Sequence, residues 1–261
     1  MAGGSEHKGS AVGVRSVCGF RVRWVAETGS TNADLLAEAR QGAAPKAVLA
    51  ADYQLAGRGR RGRAWDAAPD TSLLFSVLMR PQLAVEEAHL ITTAMALGAV
   101  EACDSLAGVR PSVKWPNDLV VADRKLAGVL AESVVTGNRL EAVVVGMGLN
   151  VRTGAAPPEA ADTALALEDV CGSVVDRQGL LAEILGSFSR WMDGIDKSEN
   201  RAALMAAARQ ESATLGQRVS VEMADGLVLE GVAEELDERG ALLLEGGVRV
   251  VVGDVVHLRS S

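Results

Sequence analysis

Four arginines lie within six residues of a glycine-spaced segment, residues 57–63, and Trp65 follows closely. The chain has a net charge of -8, so this cationic cluster opposes the background charge. Crowding like charges costs electrostatic free energy, and an anionic ligand offsets that cost. The glycines let the backbone approach such a ligand closely and keep the segment mobile. The segment therefore predicts a mobile loop that binds an anion.

Residues 57–62 also match the G-x-G-x-x-G pattern of dinucleotide-binding folds, but their context argues against that function. In that fold a helix begins at the pattern, and an acidic residue follows about 20 positions later. Here residues 64–70 are typical of a loop, and Met-Arg-Pro stands at residues 79–81. The sequence also lacks the Walker phosphate-binding pattern.

Residues 28–32, Thr-Gly-Ser-Thr-Asn, place hydroxyl and amide side chains at the start of a predicted helix. The free backbone N–H groups of a helix N-terminus also point outward there. Such a cluster can hold a small polar head group. Plain helix capping by Ser30 is the alternative interpretation.

Two further segments carry polar groups beside predicted strands. Pro116 ends a strand in the sequence Lys-Trp-Pro-Asn-Asp, which leaves Asn117 and Asp118 on a short turn. Lys125 begins an otherwise apolar strand, where its ammonium group can enter a cleft and contact a carboxylate or a phosphate. Turn formation by Asn117 and Asp118, and protection of a strand edge by Lys125, are the alternatives.

The elements that must position these groups form a mixed α and β chain with a domain boundary near residue 212. We predict strands at residues 21–25, 46–52, 72–79, 113–115, 119–122, 126–135 and 140–148, and helices at 31–40, 85–107, 180–192 and 201–210. Short turns between the last four strands indicate an antiparallel meander. Beyond residue 215, five short strands indicate a small closed barrel. Residues 1–14 are predicted to be a disordered tail.

Composition limits the possible functions. The chain has 261 residues, 48% apolar and 23% charged, which is typical of globular proteins, and its pI near 5.0 argues against general nucleic-acid binding. Its three cysteines are widely spaced, so we expect reduced, buried thiols rather than a zinc site or disulfides. No signal peptide is visible, and residues 83–109 carry several charges that favour an amphipathic helix over a membrane span. These features predict a cytoplasmic protein.

Together the polar segments resemble the biotin protein ligase family. The Ser-Thr-Asn, Gly-Arg-Gly-Arg-Arg-Gly-Arg-x-Trp, Lys-Trp-Pro-Asn-Asp and Lys-Leu-x-Gly motifs occur in the family's order, and residues 146–150 are similar to its Gly-x-Gly-x-Asn segment. The resemblance implies an α+β fold. Residues 15–212 would form a catalytic domain with a mixed sheet like that of class II aminoacyl-tRNA synthetases, and residues 213–261 an SH3-like C-terminal β-barrel. Only about 20 residues precede the first predicted strand, too few for the DNA-binding domain of some members, so we expect the monofunctional type.

The resemblance also implies a reaction in two steps. Biotin and ATP, which brings Mg²⁺, form biotinoyl-5′-AMP, and biotin then passes to a lysine of a biotin carboxyl carrier protein, the expected partner. Neither DNA nor a membrane is expected as a partner, and both a monomer and a homodimer stay open. A lipoate or octanoate ligase of the same fold is the main alternative. An RNA-binding protein and a purely structural protein are two more.

Site residues follow from the same motifs. The implied catalytic residues are Lys125, Arg60 and Asp118. The implied biotin-binding residues are Ser30, Thr31, Asn32, Gln54, Gly57, Arg58, Arg60, Lys125, Gly128 and Gly146. The implied ATP-binding residues are Arg58, Arg60, Arg63, Trp65, Lys114, Asn117, Lys125 and Asn150. Asp118 would either orient Lys125 or accept a proton from the acceptor amine, Arg61 is expected to be solvated, and no set of protein metal ligands is implied.

Overall fold

The structure is a computed structural model that describes residues 14–258, apart from residues 138, 224 and 252. Most of the predicted N-terminal tail therefore lies outside the described residues. Within the described part, the chain forms one large mixed sheet with helices on both faces, followed by a smaller antiparallel sheet.

The large sheet has eight strands in the order β1-β2-β3-β4-β8-β7-β6-β5. The strands are β1 Arg15–Val17, β2 Phe20–Thr28, β3 Ala47–Gln54, β4 Ser72–Met79, β5 Ser112–Lys114, β6 Asp118–Val121, β7 Arg124–Thr136 and β8 Arg139–Asn150. β2 and β3 run parallel, whereas the other neighbours run antiparallel. The predicted antiparallel meander of β5 to β8 is confirmed. The edge strand β1 was not predicted, because three mostly exposed residues give no periodic signal.

Helices cover both faces of this sheet. They are α1 Thr31–Arg40, α2 His89–Ala107, α3 Leu167–Cys171, α4 Arg177–Met192 and α5 Ser198–Gln210. On one face, apolar residues of α1 pack against β3, β4 and β8. On the other face, α2 and α4 cover the main core, where Phe20 and Phe188 are fully buried with ring centroids 6.2 Å apart. Every residue of β4 is buried, because this central strand lies beneath helices on both sides.

The long predicted helix at residues 85–107 needs one correction. Val85–Glu87 forms a separate 3₁₀ turn, in which the Glu87 carboxylate accepts a hydrogen bond from the Ala84 N–H, and α2 begins only at His89. By length and composition, Val85–Ala107 is the one described helical segment that could cross a membrane. Burial of 61% of its apolar window inside the protein is typical of a core helix.

The smaller sheet contains five antiparallel strands in the order β12-β11-β10-β9-β13. They are β9 Arg218–Glu222, β10 Val228–Leu236, β11 Leu242–Leu244, β12 Val248–Val250 and β13 Asp254–His257. The described pairings leave β12 and β13 at opposite edges, so closure into a barrel stays a prediction.

Trp115 joins the two sheets. Its backbone N–H donates to the Thr214 hydroxyl at 3.0 Å, and its indole N–H donates to the Gly240 carbonyl at 2.9 Å. Thr214 is fully buried, so the first of these hydrogen bonds is protected from water. The Lys-Trp-Pro-Asn-Asp segment is thereby fixed against the C-terminal domain.

The three cysteines do not share one environment. Cys103 is buried in α2, and burial raises the pKa of its thiol to about 12. Cys171 is half-buried and Cys18 is exposed, so the expectation that all three are buried is wrong for these two. Cys18 lies in the tight turn between β1 and β2, where its φ is 50°, and such turns lie at the protein surface.

Replacement of Phe188 by alanine tests the role of the α2–α4 face. The large cavity left in this fully buried position is expected to lower the free energy of unfolding by about 3–5 kcal/mol. Chemical denaturation measures this change. Val174→Ala serves as the control, because Val174 is 87% exposed and its truncation is expected to alter stability by less than about 0.5 kcal/mol. Equal stabilities for the two variants would contradict the packing described.

Candidate active site

A cavity of about 410 Å³ brings together the polar segments that are far apart in the sequence. Its walls come from the N-terminus of α1, the arginine loop at residues 57–63, the turn after β5, strands β7 and β8, and strand β13 of the C-terminal domain. Fourteen of the predicted site residues line this cavity: Ser30, Thr31, Asn32, Gln54, Arg58, Arg60, Arg63, Trp65, Lys114, Asn117, Asp118, Lys125, Gly128 and Gly146. The cavity has the volume of a small-molecule site.

One end of the cavity is polar and uncharged. Ser30 caps α1, its hydroxyl accepting from the Ala33 N–H at 3.5 Å, as predicted. The Thr31 N–H donates to Gln54 Oε1 at 2.7 Å, and the Thr31 hydroxyl lies 2.7 Å from the hydroxyl of Ser76. Ser76 in turn donates to Asn32 Oδ1 at 2.6 Å. Helix capping therefore accounts for Ser30, whereas Thr31 and Asn32 belong to a hydrogen-bonded cluster in the cavity wall.

Sequence reasoning missed Ser76, which is fully buried in the middle of β4. The signal was present, because a serine in an otherwise apolar buried strand must find a hydrogen-bond partner. Ser76 pairs with Gly146 of β8, and a Cβ atom on Gly146 would lie only 2.2 Å from Asn32 Oδ1. Glycine at position 146 therefore leaves the space that the Asn32 amide occupies.

A lysine and a carboxylate form an ion pair in the cavity wall. Residue Ala122, the last residue of the strand predicted at 119–122, instead lies with Asp123 in the tight turn between β6 and β7, and both have positive φ. Across this hairpin, Lys125 Nζ lies 2.8 Å from Asp118 Oδ1. Lys125 Nζ also lies 5.4 Å from the centroid of the Trp65 ring, within the range of a cation–π contact. This contact is the one that Asp118 needs in order to orient Lys125, the first of its two predicted roles, and both roles stay predictions.

The indole ring of Trp65 packs against the backbone of two glycines, which together are called the glycine floor. Gly128 of β7 and Gly148 of β8 face each other across the sheet, and the indole ring covers both. A Cβ atom on Gly148 would lie 2.4 Å from the indole Cε2 atom, and one on Gly128 would lie 3.2 Å from Cζ3. The Trp65 indole N–H is buried and has no hydrogen-bond partner in the described part of the chain. An acceptor on a ligand could satisfy it.

The arginine loop is held by a carboxylate of the C-terminal domain. Arg60 and Arg61 approach the carboxylate of Asp254 to 3.5 and 3.3 Å, and Arg63 also forms a salt bridge with it. Arg61 pairs with Glu222 at 3.2 Å as well, so this exposed side chain is ion-paired rather than simply solvated. Sequence reasoning missed Asp254, since nothing in its local pattern connects it to a loop about 190 positions earlier.

Arg60 occupies the most constrained position in the loop. Its guanidinium donates to Asn117 Oδ1 and to the Gly253 carbonyl, each at 3.2 Å. Burial lowers the pKa of Arg60 from its ordinary value, although Asp254 and Asp118 act in the opposite direction. Arginine nevertheless stays charged at neutral pH, so Arg60 carries a partly desolvated positive charge. Such a charge interacts strongly with an anion.

Two predicted site residues do not line the cavity. Asn150 is 4% exposed, accepts from the Ser72 hydroxyl at 3.4 Å and donates to the Leu165 carbonyl at 3.2 Å. Gly57 closes the base of the arginine loop, because its carbonyl accepts from the Trp65 N–H at 3.0 Å. Among the residues that the structure describes, no three or more His, Cys, Asp or Glu side chains converge as metal ligands.

Comparison with known proteins gives the family. Residues 26–150 match the biotin/lipoate A/B protein ligase family, and residues 214–258 match the biotin protein ligase C-terminal domain. A biotin--[acetyl-CoA-carboxylase] ligase of Mycobacterium tuberculosis is 39% identical over 247 residues, which cover 90% of this chain and 88% of that protein. The chain belongs to the biotin protein ligase family.

Other ligases support this assignment. A biotin--[acetyl-CoA-carboxylase] ligase of Paracoccus denitrificans is 32% identical over 233 residues, covering 85% of this chain and 93% of that protein. A biotin protein ligase of Aquifex aeolicus, solved in complex with biotin and ATP, is 27% identical with a TM-score of 0.77 and covers 92% of this chain and 99% of that one. The family resemblance found in the sequence motifs is thus confirmed, as is a ligase fold with a large mixed sheet and a separate C-terminal sheet.

Replacement of Gly148 by alanine tests the position of Trp65 in this ligase. The new methyl group would overlap the indole ring, so we expect the ring to leave the glycine floor and become more exposed to water. A red shift and stronger quenching of tryptophan fluorescence by acrylamide would report this change. The same substitution in a Trp65→Phe background is the control and is expected to leave the remaining fluorescence unchanged. An unaltered spectrum for Gly148→Ala alone would contradict the stacking described.

Proposed function

We propose that this chain is an ATP-dependent ligase that activates biotin as biotinoyl-5′-AMP and transfers it to a lysine of a biotin carboxyl carrier protein. The observation that carries this proposal is the division of one cavity into an uncharged polar end and a cationic centre. Biotin has the same division, with a ureido ring at one end and a carboxylate at the other. The named ligase relatives and the Aquifex ligase bound to biotin and ATP support the same function.

Charge neutralisation and alignment are the main requirements of the first step. The biotin carboxylate oxygen forms a bond to the α-phosphorus of ATP, the bond from that phosphorus to the bridging oxygen breaks, and pyrophosphate leaves. Both reactants are anions, so their approach is opposed by repulsion. Lys125 and Arg60 both line the cavity, where they would contact both groups and stabilise the charge that develops between them. Asp118 positions the Lys125 ammonium through their 2.8 Å ion pair.

A further set of polar residues of the cavity is assigned to nucleotide binding. We assign Arg58 and Arg63 to the phosphates, because both belong to the loop that closes the cavity. Trp65 would cover the nucleotide, with Lys114 and Asn117 nearby. Asn150 lies on the same face of β8 as Gly146 and Gly148 and would act at the adenine end, whereas Gly57 acts by shaping the loop. Mg²⁺ would enter with ATP, since the described residues offer no metal-ligand cluster of their own.

In the second step the amine of the acceptor lysine attacks the acyl carbon of biotinoyl-AMP. The C–N bond forms, the bond to the phosphate oxygen breaks, AMP leaves and the amine gives up a proton, for which Asp118 is the candidate acceptor in the cavity wall. A closed arginine loop would exclude water and retain the reactive anhydride until the acceptor arrives. Asp254 and Glu222 provide the contacts that hold this loop over the cavity.

The finer points of the fold belong to the same proposal. We assign residues 15–212 to a catalytic domain like the class II aminoacyl-tRNA synthetase core, and residues 213–261 to an SH3-like domain. The partner is a biotin carboxyl carrier protein, and the three free thiols suit a reducing, cytoplasmic setting. A lipoate or octanoate ligase is disfavoured, because a plain acyl chain would leave the polar end of the cavity without hydrogen-bond partners.

Biotin-dependent exchange of label between pyrophosphate and ATP tests the function directly. Purified protein is expected to catalyse exchange with biotin and to show little exchange with lipoate or octanoate. Exchange that depends on lipoate instead of biotin would replace this proposal with the alternative. Lack of exchange with all three acids would refute an acyl-adenylating ligase.

Replacement of Lys125 by methionine tests the proposed catalytic lysine. Loss of its charge is expected to slow pyrophosphate exchange on the order of 10²–10³-fold, while biotin binding measured by calorimetry survives. Lys197→Met is the matched control, because Lys197 is an exposed lysine at the start of α5 and should leave exchange unchanged. Near-normal exchange by Lys125→Met would remove Lys125 from the mechanism.

A further inference from the structure

A glutamate outside the cavity wall contacts the polar end of the cavity. Glu132 lies two residues after Leu130 on β7 and is half-buried. The amide nitrogen of Asn32 donates to Glu132 Oε2 at 2.9 Å and points toward the Leu130 carbonyl at 3.4 Å. Both contacts are to acceptors, so a flipped amide would place its oxygen against a carboxylate. Glu132 therefore fixes the orientation of the Asn32 amide.

This orientation determines the direction of the whole hydrogen-bonded cluster. With its nitrogen facing Glu132, Asn32 presents Oδ1 to Ser76, and Ser76 can only donate to it, at 2.6 Å. Ser76 has a single hydroxyl proton, so it must accept from the hydroxyl of Thr31, 2.7 Å away. The Thr31 hydroxyl also lies 3.0 Å from Gln54 Oε1, but its single proton is donated to Ser76, and Gln54 Oε1 accepts from the Thr31 N–H. The side chains of Thr31, Ser76 and Asn32 thus donate one to the next toward the carboxylate of Glu132.

The consequence is a cavity end that offers acceptors. The hydroxyl protons of Thr31 and Ser76 are used inside the cluster, which leaves oxygen lone pairs on these residues and on Asn32 for a ligand. Thr31, Asn32 and Ser76 are 3%, 5% and 0% exposed and all line the cavity, so a ligand placed there must satisfy them without help from bulk water. A ligand with N–H donors satisfies these atoms, whereas an acyl chain does not.

We propose that Glu132 is a positioning residue that makes this end of the cavity selective for the N–H groups of a cyclic urea. The inference rests on the proposed function, because the ureido ring of biotin supplies those N–H groups. On this inference, the carboxylate of Glu132 causes the preference for biotin over an unbranched or dithiolane acyl chain. Glu132 acts through Asn32 and need not contact the substrate itself. Gly146 contributes by leaving room for the Asn32 amide.

Steady-state pyrophosphate exchange by the full chain tests this role. In Glu132→Met the amide of Asn32 loses its charged partner, and we expect the KM for biotin to rise on the order of tenfold, the scale of one hydrogen bond to a charged group. The kcat and the KM for ATP should stay near their wild-type values. The ratio of kcat/KM for biotin to that for octanoate should fall by a similar factor.

Three companion variants separate positioning from folding. Glu132→Gln keeps an acceptor oxygen at the same reach and is expected to restore the KM for biotin. Glu132→Asp keeps the charge but is shorter by one methylene, so its KM should rise as in the methionine variant. Glu141→Met, a half-buried glutamate of the neighbouring strand β8 that does not line the cavity, is the matched control. Thermal melting is recorded for each protein.

An unchanged KM for biotin in both Glu132→Met and Glu132→Asp would overturn the inference. A joint change of kcat, both KM values and the melting temperature would also overturn it, because that result indicates a structural role only. Failure of the proposed function is recognised separately, since the wild-type protein would then show no biotin-dependent exchange.

Discussion

Repulsion among neighbouring guanidinium groups is the constraint on which the rest of the site depends. Arg60, Arg61 and Arg63 share the carboxylate of Asp254, which compensates part of their mutual repulsion, and Glu222 compensates Arg61 further. Partly exposed ion pairs of this kind contribute little stability individually. Their effect is geometric, because they hold the arginine loop over the cavity. They also connect the C-terminal domain directly to residues of the proposed active site. The phosphates of ATP are also anions. The arginines can therefore exchange the carboxylate of Asp254 for a phosphate, and their positive charges stay neutralised.

Missing side chains are as important as the charged ones. Gly128 and Gly148 form the surface on which the indole of Trp65 lies, and Gly146 leaves the space taken by the Asn32 amide. All three glycines lie in β7 and β8, the longest strands of the large sheet, where the backbone is held by neighbours on both sides. Because the sheet is held by its hydrogen bonds, it tolerates positions without side chains. The space above these glycines is where the Trp65 ring and the Asn32 amide pack.

Much of this arrangement could be predicted from the sequence, because short continuous segments of the chain carry the relevant motifs. The segments around Ser30, Arg60, Asn117 and Lys125 each carry a recognisable pattern, and helix α1 and strand β4 lie at the residues predicted for them. Ser76 and Glu132 were missed because a single polar residue in a strand shows no pattern until the sheet register is known. Asp254 was missed because its partners lie in another domain. The 3₁₀ turn before α2 was missed because apolar periodicity continues across it.

The salt bridge between Arg63 and Asp254 joins residues 191 positions apart. The two carboxylates that hold the arginine loop, Asp254 and Glu222, both come from the smaller sheet. Local unfolding of that sheet would therefore release the arginine loop from its ion pairs, even with the large sheet intact.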